Sequence, residues 1–251
     1  MRQGAAEGVT AVLTSCGRMR QLGRLLESLR AFNDHPLARF ILMEDSGDAE
    51  AGRIAADLGF DVELHLAQQR RGQLASIDYA YARVETPWIL HLEDDYVFTR
   101  PGYVAEALAV LRADPRVSMV SGRVWGEEFA GTRPPVTAVD GVRVRLIPRD
   151  AHPSWFGYAF HTGLRRKREW ERFGPFAPYR REWDVSYAMK RAGMRMAYLV
   201  EPAYHDDDLG EQSASSDPAR PARAASLGYK FSKSAKKALF RVERALGRYR
   251  D

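Results

Sequence analysis

The chain has 251 residues, enough for one large α/β domain or two small ones, and its 45% hydrophobic and 28% charged composition is close to that of globular proteins. This composition excludes a miniature scaffold and wholesale disorder. The single cysteine, Cys16, excludes an intramolecular disulfide and a cysteine-cluster metal site. A reducing, cytoplasmic location is the simplest interpretation, although a secreted protein without disulfides would have the same composition. The net charge of +5 is uneven, because residues 220–251 hold ten Lys or Arg against two acidic residues, a net of +8, which leaves −3 for the rest.

The first residues of the chain lack the ~7–15 consecutive apolar residues of a secretory signal peptide. No other run approaches the ~20 apolar residues of a membrane-spanning helix. We therefore expect a protein in solution, or one attached peripherally to the inner face of a membrane.

The first half of the sequence alternates apolar runs typical of buried strands with segments that have helical spacing of their apolar residues. The predicted strands are Val9–Ser15, Arg39–Met43, Asp61–Leu66, Trp88–Leu92 and Val117–Ser121, and the predicted helices are Met19–Phe32, Ala49–Leu58, Gln73–Val84 and Tyr103–Ala113. This repeated order predicts an α/β fold with a mostly parallel, Rossmann-like sheet and helices on both faces.

The second half is less regular. Its predicted elements are an antiparallel or edge strand at Val142–Ile147, helices at Arg166–Phe173 and Glu182–Ala192, and a last strand at Met196–Val200. Residues 1–209 are predicted to form a catalytic domain, the Ser-, Pro- and Ala-rich residues 210–228 a linker or mobile loop, and residues 229–251 a basic amphipathic helix.

Acidic residues follow predicted strands at three places: Glu44 with Asp45, Glu93 to Asp95, and Asp206 to Asp208 beside His205. Ligands of parallel α/β sheets bind at the carboxyl ends of the strands, where crowded carboxylates need a cation to offset their repulsion. Oxygen ligands with one imidazole suit Mg²⁺ or Mn²⁺ better than zinc. The alternative is that each cluster is ordinary solvated turn chemistry and that His205 is an ordinary histidine.

Common nucleotide-binding motifs are missing from the sequence: it contains no G-x-x-x-x-G-K-[ST], no G-x-G-x-x-G after the first strand and no H-E-x-x-H. Instead, the first strand ends in the small-residue turn from Thr14 to Arg18. Such a turn can admit a ligand, although turns between strands and helices are also small and polar for structural reasons.

Five segments in order resemble the GT-A nucleotide-sugar glycosyltransferases, and specifically family-2-like enzymes. They are "VTAVLTSCGRMRQLGRLLESL", "FILMEDSGD", "RRGQLASIDYAYARVETPWILHLEDDYVF", "REWDVSYAMKRAGMRMAYL" and "YHDDD". The resemblance covers roughly Val9 to His205. Each motif alone is weak, but five motifs in the right order make the resemblance strong.

The resemblance implies a role for each matching residue. Thr14 and Arg18 would line the nucleotide pocket, and Asp45 would hold the base or ribose. Arg71, Gly72 and Asp78 lie in the segment that grips the nucleotide in such enzymes.

The resemblance also implies a metal site. Glu93, Asp94 and Asp95 are similar to the family's D-x-D motif, with Asp95 the direct metal ligand, Asp94 close to the ribose and Glu93 a further metal-site carboxylate. His205 matches a histidine that completes the metal–diphosphate site, and Mn²⁺ or Mg²⁺ would bridge the two phosphates of the donor. Arg70 and Arg71 could add direct phosphate contacts.

Inversion at the anomeric carbon needs a base for the acceptor hydroxyl, and the family keeps this carboxylate at the start of a helix. Here Glu182 and Asp184 occupy that place, although Arg181 departs from the usual Glu-Asp-x-Asp pattern. We favour Glu182 as the base and Asp184 as a capping or acceptor-positioning residue. The alternative is that both carboxylates only favour the positive end of the helix.

Aromatic residues precede this helix and could stack on the acceptor sugar, or form a buried patch between the two halves of the domain. They are Trp155, Phe156, Tyr158 and Phe160, followed by His161.

The tail has apolar residues at spacings of three and four, with Lys and Arg at most other positions. The apolar positions are Phe231, Ala235, Leu239, Val242, Leu246 and Tyr249. Such a helix suits an anionic membrane surface, where glycolipid or polymer acceptors reside, and it equally suits packing on the catalytic domain or on a second copy. Nucleic acid is the least favoured partner, because no stacking motif accompanies the charge.

The sequence therefore predicts a metal-dependent glycosyltransferase that moves a sugar from a nucleoside-diphosphate-sugar donor to a hydroxyl of a saccharide, a glycolipid or another acceptor. A nucleotidyltransferase is the second enzyme hypothesis, although the turn at Thr14–Arg18 is a poor version of its glycine-rich, basic loop. A non-catalytic membrane or nucleic-acid adaptor that uses the basic tail is the third hypothesis.

Overall fold

The structure is a computed structural model. It describes residues 8–125, 134–149, 151, 157–179 and 181–207, together with residues 235, 238, 239, 241–243, 245 and 246 of the tail. The predicted linker at 210–228 lies outside the described residues, and the predicted division of the chain stays a prediction.

Eleven strands and six α-helices can be delimited in the described part of the chain. The strands are β1 Val9–Ser15, β2 Arg39–Glu44, β3 Glu63–Leu66, β4 Trp88–Glu93, β5 Tyr96–Phe98, β6 Val117–Ser121, β7 Val136–Val139, β8 Val142–Leu146, β9 Gly163–Arg166, β10 Arg195–Leu199 and β11 Tyr204–Asp206. The helices are α1 Met19–Phe32, α2 Glu50–Asp57, α3 Gln73–Tyr81, α4 Tyr103–Ala113, α5 Lys167–Phe173 and α6 Glu182–Arg191.

Nine of these strands form one sheet in the order β3-β2-β1-β4-β9-β6-β10-β8-β7. Strand β1 pairs in parallel with β2 and β4, and β6 pairs in parallel with β10. Strand β9 is antiparallel to both of its neighbours, β4 and β6, and β8 is antiparallel to β10. The predicted mostly parallel sheet is confirmed, and the carboxyl ends of β1, β2 and β4 meet at one edge.

Helices cover both faces of the sheet, as predicted. On one face, the apolar side of α1, including Leu22, Leu25 and Leu29, joins the core around Leu13 and Leu90. On the other face, α3 and α6 contribute to a second buried cluster through Ile77, Tyr81, Val185 and Met189. In the part of the chain that the structure describes, no helix is long and apolar enough to cross a membrane.

Strand β9 is not predicted by the sequence pattern, because two arginines occupy it. The side chain of Arg165 is fully buried. Its guanidinium donates hydrogen bonds to the carbonyl oxygens of Ala159 (3.1 Å) and His161 (2.6 Å) and to the hydroxyl of Tyr158 (3.0 Å). These acceptors satisfy most of the guanidinium, so a charged residue is tolerated at the centre of the sheet.

The ribbon formed by β5 and β11 is also missing from the sequence prediction, because each strand has three residues. Tyr204 holds this ribbon against the domain: its ring packs edge-on against Phe98 and Tyr103, and its hydroxyl donates to the carbonyl oxygen of Thr162 (2.6 Å). The ribbon therefore places β11 beside β5, the strand that directly follows the acidic residues Glu93 to Asp95.

His91 on β4 is fully buried beside the ring of Tyr81, and neither of its ring nitrogens has a hydrogen-bond partner within the described residues. Burial, with smaller contributions from Arg165 and His161, lowers the pKa of His91 well below its usual value. The imidazole is therefore neutral in the folded protein at neutral pH.

This neutral histidine makes stability depend on pH. Because the pKa of His91 is lowered by folding, the unfolded chain binds a proton below about pH 6.5 that the folded protein does not bind, so stability falls as the pH falls. Below pH 6.5, His91 should lower the free energy of unfolding by up to about 1.4 kcal/mol for each pH unit, and replacing it with Leu should remove this contribution. Urea unfolding of both proteins between pH 8 and pH 5 measures the difference, and parallel curves would contradict a neutral His91.

Candidate active site

A cavity of about 240 Å³ opens where the carboxyl ends of β1, β2 and β4 meet. Six of the residues predicted from the sequence line it: Thr14, Arg18, Asp45, Glu93, Asp94 and Asp95. Ser15 and Cys16, from the turn that is expected to admit a ligand, also line it, as do Gln73 and Ser76, for which the sequence predicts no individual role. Their position follows from the fold, because Ser15 and Cys16 leave β1 and Gln73 and Ser76 lie in the first turn of α3.

The acidic residues at the end of β2 accept hydrogen bonds from the backbone of the turns around this cavity. The carboxylate of the buried Glu44 accepts from the backbone N–H groups of Gly17 (2.7 Å) and Asp48 (3.0 Å). The carboxylate of Asp45 accepts from the N–H groups of Arg71 (2.8 Å) and Gly72 (2.9 Å). The turns before α1 and α3 are therefore fixed to the end of β2.

Asp45 also accepts a hydrogen bond from the hydroxyl of Ser76 at 3.0 Å. Gly72 has a backbone φ of +84°, a conformation that favours glycine and that directs its N–H to Asp45. Asp45 and Gly72 thus fix the start of α3 at the edge of the cavity. Their predicted contacts with a nucleotide stay predictions.

The side chains of Arg71 and Asp78 are directed away from the cavity lining. The Arg71 guanidinium lies over the ring of Tyr79, 4.5 Å from its centroid. The Asp78 carboxylate accepts hydrogen bonds from Trp170 Nε1 (2.8 Å) and from the backbone N–H groups of Phe176 and Ala177 (both 2.7 Å). Asp78 therefore holds the segment that leads towards α6, and its predicted role in nucleotide binding stays a prediction.

The acidic motif after β4 is paired with Arg18 in the described structure. The Arg18 guanidinium forms ion pairs with Asp94 and, at 3.1 Å, with Asp95. Asp94 is buried and also accepts from the Ser15 hydroxyl at 2.8 Å. Glu93 accepts a hydrogen bond from the side-chain amide of Gln73 at 2.8 Å.

Burial and neighbouring carboxylates disfavour the ionisation of Glu93 and Asp94. Burial raises the pKa of Asp94 to about 6, against the opposing effect of Arg18. Burial, followed by the charges of Asp95, Glu182 and Asp94, raises the pKa of Glu93 well above its usual value. The site is therefore short of positive charge, and a bound cation would stabilise its ionised form.

The residues present can offer oxygen ligands to a divalent cation, although the side chains are not gathered as a complete metal site. Within the described residues, no three His, Cys, Asp or Glu side chains are arranged to hold a metal. Asp95 Oδ1, however, is buried and has no hydrogen-bond partner in the described part of the chain. An unsatisfied carboxylate oxygen beside other carboxylates is the donor that Mg²⁺ or Mn²⁺ prefers, so the donor set fits such an ion.

His205 lies on β11 opposite Val97 of β5, and its side chain is exposed. The backbone N–H of Asp207, two residues further on, donates to the carbonyl oxygen of Asp95 at 2.6 Å. The strand that carries His205 therefore passes directly beside the acidic motif. Metal binding by His205 stays a prediction, and Asp208 lies outside the described residues.

The two candidate bases begin α6. The Glu182 carboxylate accepts a hydrogen bond from the backbone N–H of Phe160 at 2.9 Å, and its charge contributes to the raised pKa of Glu93. Glu182 is therefore close to the acidic motif. Asp184 lies within the first turn of α6, where its N–H donates to the carbonyl oxygen of Arg181.

Buried Arg165 fixes the peptide that binds Glu182. Its guanidinium holds the carbonyl oxygens of Ala159 and His161, which flank Phe160. The N–H of Phe160 is thereby directed at Glu182. The sequence offered no signal for this contact, because it links the backbone of one loop to the side chain of another element.

The aromatic segment is mostly core and not an acceptor platform in the residues that the structure describes. The rings of Tyr158 and Phe160 are fully buried, and both pack against Phe176. Stacking of an acceptor sugar on these two rings is therefore excluded, because no face of either ring reaches the surface. Trp155 and Phe156 lie outside the described residues.

Solved structures of low sequence identity share this fold. S. aureus TarS superimposes with a TM-score of 0.55 at 12% identity, covering 79% of this chain and 36% of that protein. A mannosyltransferase from Pyrobaculum calidifontis, in complex with GDP-Man and Mn²⁺, gives a TM-score of 0.56 at 14% identity, covering 83% of this chain and 59% of that one. TarS 1–349 in complex with UDP-GlcNAc gives 0.53 at 11% identity, covering 79% and 58%.

The chain thus spans between about one third and three fifths of these solved proteins. The search among curated proteins found no match. The fold is that of the GT-A glycosyltransferases. The model of glycosyl transferase family 2 matches residues 10–187, more than two thirds of the chain, and the protein belongs to this family.

Proposed function

We propose that this glycosyltransferase moves a sugar from a nucleoside-diphosphate-sugar donor to an acceptor hydroxyl, with Mn²⁺ or Mg²⁺ and with inversion at the anomeric carbon. The observation that carries the proposal is the unsatisfied, buried Oδ1 of Asp95 in a pocket lined by four carboxylates. A diphosphate is itself anionic, so such a pocket accepts it only with added positive charge. A bound divalent cation would stabilise the charge that develops on the diphosphate leaving group.

The proposed base is Glu182. Its support is its closeness to Glu93 at the edge of the donor pocket and the N–H of Phe160, which donates to its carboxylate. A carboxylate held in this way can take the proton of an acceptor hydroxyl as the hydroxyl attacks the sugar. Asp184, two residues further along the same helix turn, is the proposed positioning residue.

A screen of donor hydrolysis tests the proposed donor class. The protein is incubated with UDP-, GDP- and dTDP-sugars, with and without Mn²⁺, and release of the nucleoside diphosphate is measured. We expect release with at least one donor, dependent on the metal. If chelated protein released as much nucleoside diphosphate without added metal as with it, the metal requirement would be contradicted. Membership of the family already disfavours the nucleotidyltransferase and adaptor hypotheses.

We also propose that the tail attaches the enzyme to the cytoplasmic face of an anionic membrane. The described tail residues support this proposal. Leu239, Val242 and Leu246 have 46%, 56% and 68% of their surface exposed, so a large part of this apolar surface is open to solvent. Glu243 is buried instead, accepting a hydrogen bond from the Tyr187 hydroxyl at 2.9 Å and pairing with Arg191 at 3.5 Å.

The tail is therefore attached to α6 through a polar contact, while apolar residues at helical spacing face the solvent. Residues 220–251 carry a net charge of +8, which opposes pairing of two such tails and favours an anionic surface. The helix that carries the proposed base at its first residue, Glu182, thus also holds the tail, at Tyr187 and Arg191.

Replacing Leu239, Val242 and Leu246 together with Ser should abolish binding to anionic vesicles. The loss follows from the apolar area that these side chains would bury in the interface. Co-sedimentation with vesicles of phosphatidylcholine containing phosphatidylglycerol measures it, with pure phosphatidylcholine as the neutral surface. Replacing the exposed Val124 and Val136 with Ser is the matched control, and unchanged binding by the triple variant would contradict the proposal.

A further inference from the structure

Arg18 provides the positive charge that the acidic pocket contains in the described structure. It precedes α1, and its guanidinium contacts both Asp94 and Asp95. The two contacts differ in their surroundings. The Asp94 side chain is 1% exposed and is also held by Ser15, whereas the Asp95 side chain is 34% exposed and its contact with Arg18 measures 3.1 Å.

The contact with Asp95 is the one that can be exchanged. A cation pairs weakly with a carboxylate that water reaches, and far more persistently with one that is buried and already oriented by a second donor. Arg18 therefore has a fixed anchor at Asp94 and a replaceable partner at Asp95.

The exchange matters because Asp95 is also the proposed metal ligand. Arg18 occupies Oδ2, and Oδ1 is buried without a hydrogen-bond partner within the described residues. A divalent cation on Asp95 and the guanidinium on the same carboxylate would repel each other. A metal that binds alone must therefore weaken the contact between Arg18 and Asp95 and leave one guanidinium edge unpaired.

A nucleoside diphosphate removes this penalty. Its phosphate oxygens are acceptors that match the planar fork of a guanidinium, so the edge of Arg18 released by Asp95 gains a new anionic partner. The metal and the diphosphate then each favour the arrangement that the other requires.

We propose that Arg18 is the resident counter-cation of the acidic pair, that it yields Asp95 to the metal and binds the donor diphosphate, and that it thereby makes metal and donor binding cooperative. This inference rests on the proposed function, because it takes the metal and the diphosphate donor from there.

Binding of Mn²⁺ tests the inference without any measurement of sugar transfer. Free Mn²⁺ is measured by electron paramagnetic resonance during titration of the wild type and of Arg18→Met, with and without UDP or GDP, and with a protein-free control for Mn²⁺ held by the nucleotide. For the wild type, we expect the nucleoside diphosphate to tighten Mn²⁺ binding about tenfold or more, within the usual range of coupling between two sites.

For Arg18→Met, Mn²⁺ alone should bind about tenfold more tightly than it binds to the wild type, and the nucleotide should add much less. Arg18→Lys, which keeps the charge without the fork, should retain weak Mn²⁺ binding and lose most of the coupling, and it covers the case in which Arg18→Met does not fold. Arg39→Met is the matched control, since it removes an ion pair with Glu63 far from the pocket and should bind Mn²⁺ as the wild type does.

Equal or weaker Mn²⁺ binding by Arg18→Met, or equal coupling in all variants, would overturn the inference. Absence of Mn²⁺ binding in every protein, with or without nucleotide, would overturn both the inference and the metal requirement. Tight Mn²⁺ binding by Arg18→Met, together with no release of nucleoside diphosphate from any donor by the wild type, would support the counter-cation and overturn only the proposed donor class.

Discussion

Replacing Asp95 with Ala should abolish turnover of the donor while the protein stays folded. Asp95 carries the buried carboxylate oxygen that has no hydrogen-bond partner within the described residues. It is also the more exposed of the two carboxylates that pair with Arg18. A metal contributes several kcal/mol to the stabilisation of a diphosphate leaving group, so loss of its ligand should lower the rate on the order of a thousandfold. Release of nucleoside diphosphate in the presence of Mn²⁺ measures this effect.

The fold should tolerate this change, because removing one of three crowded carboxylates relieves repulsion with Glu93 and Asp94. Thermal unfolding checks that the variant is folded. Asp57→Ala, which removes an exposed carboxylate at the end of α2, is the matched control and should keep full activity. Full activity in Asp95→Ala would exclude Asp95 as the metal ligand.

Replacing Glu182 with Gln should eliminate transfer to the acceptor and leave donor binding unchanged. The amide keeps the size of the side chain, and its oxygen can still accept the N–H of Phe160, but it no longer takes a proton. Loss of a general base lowers rates by ~10²–10⁴-fold. The measurement combines transfer kinetics with titration of the donor, since only the first should respond.

Asp184→Asn is the comparison that assigns the base. It lies on the same helix turn, so any general disturbance of α6 should affect both variants alike. A positioning role for Asp184 predicts a weaker effect on the rate than that of Glu182→Gln. An active Glu182→Gln together with an inactive Asp184→Asn would move the base to Asp184.

The order of strands and helices could be predicted from the sequence because each element carries its own apolar pattern. Strand β1 and helix α1 illustrate this: Val9–Ser15 is a nearly continuous buried run, and Leu22, Leu25 and Leu29 recur on one face of the helix. Glu93 to Asp95 lie at the carboxyl end of β4 because they directly follow its apolar residues in the sequence. The position of the pocket was therefore predictable before any contact within it.

The contacts within the pocket were not predictable, because they join residues far apart in the chain. Arg18 and Asp94 are separated by 76 residues, and Asp78 and Phe176 by 98. Strand β9 was missed for a related reason: Arg165 is buried only because the loop before it supplies carbonyl oxygens. A local sequence pattern does not record acceptors that tertiary structure brings together.

Helix α3 acts as a spacer of fixed length between the two sides of the site. Its beginning is held at the donor pocket by Asp45, and Asp78, within its second turn, holds the backbone at Phe176 and Ala177, shortly before α6. One residue inserted between these two attachments would rotate Asp78 by about 100° and advance it by about 1.5 Å. The separation between donor and base is therefore set by the number of residues in a helix.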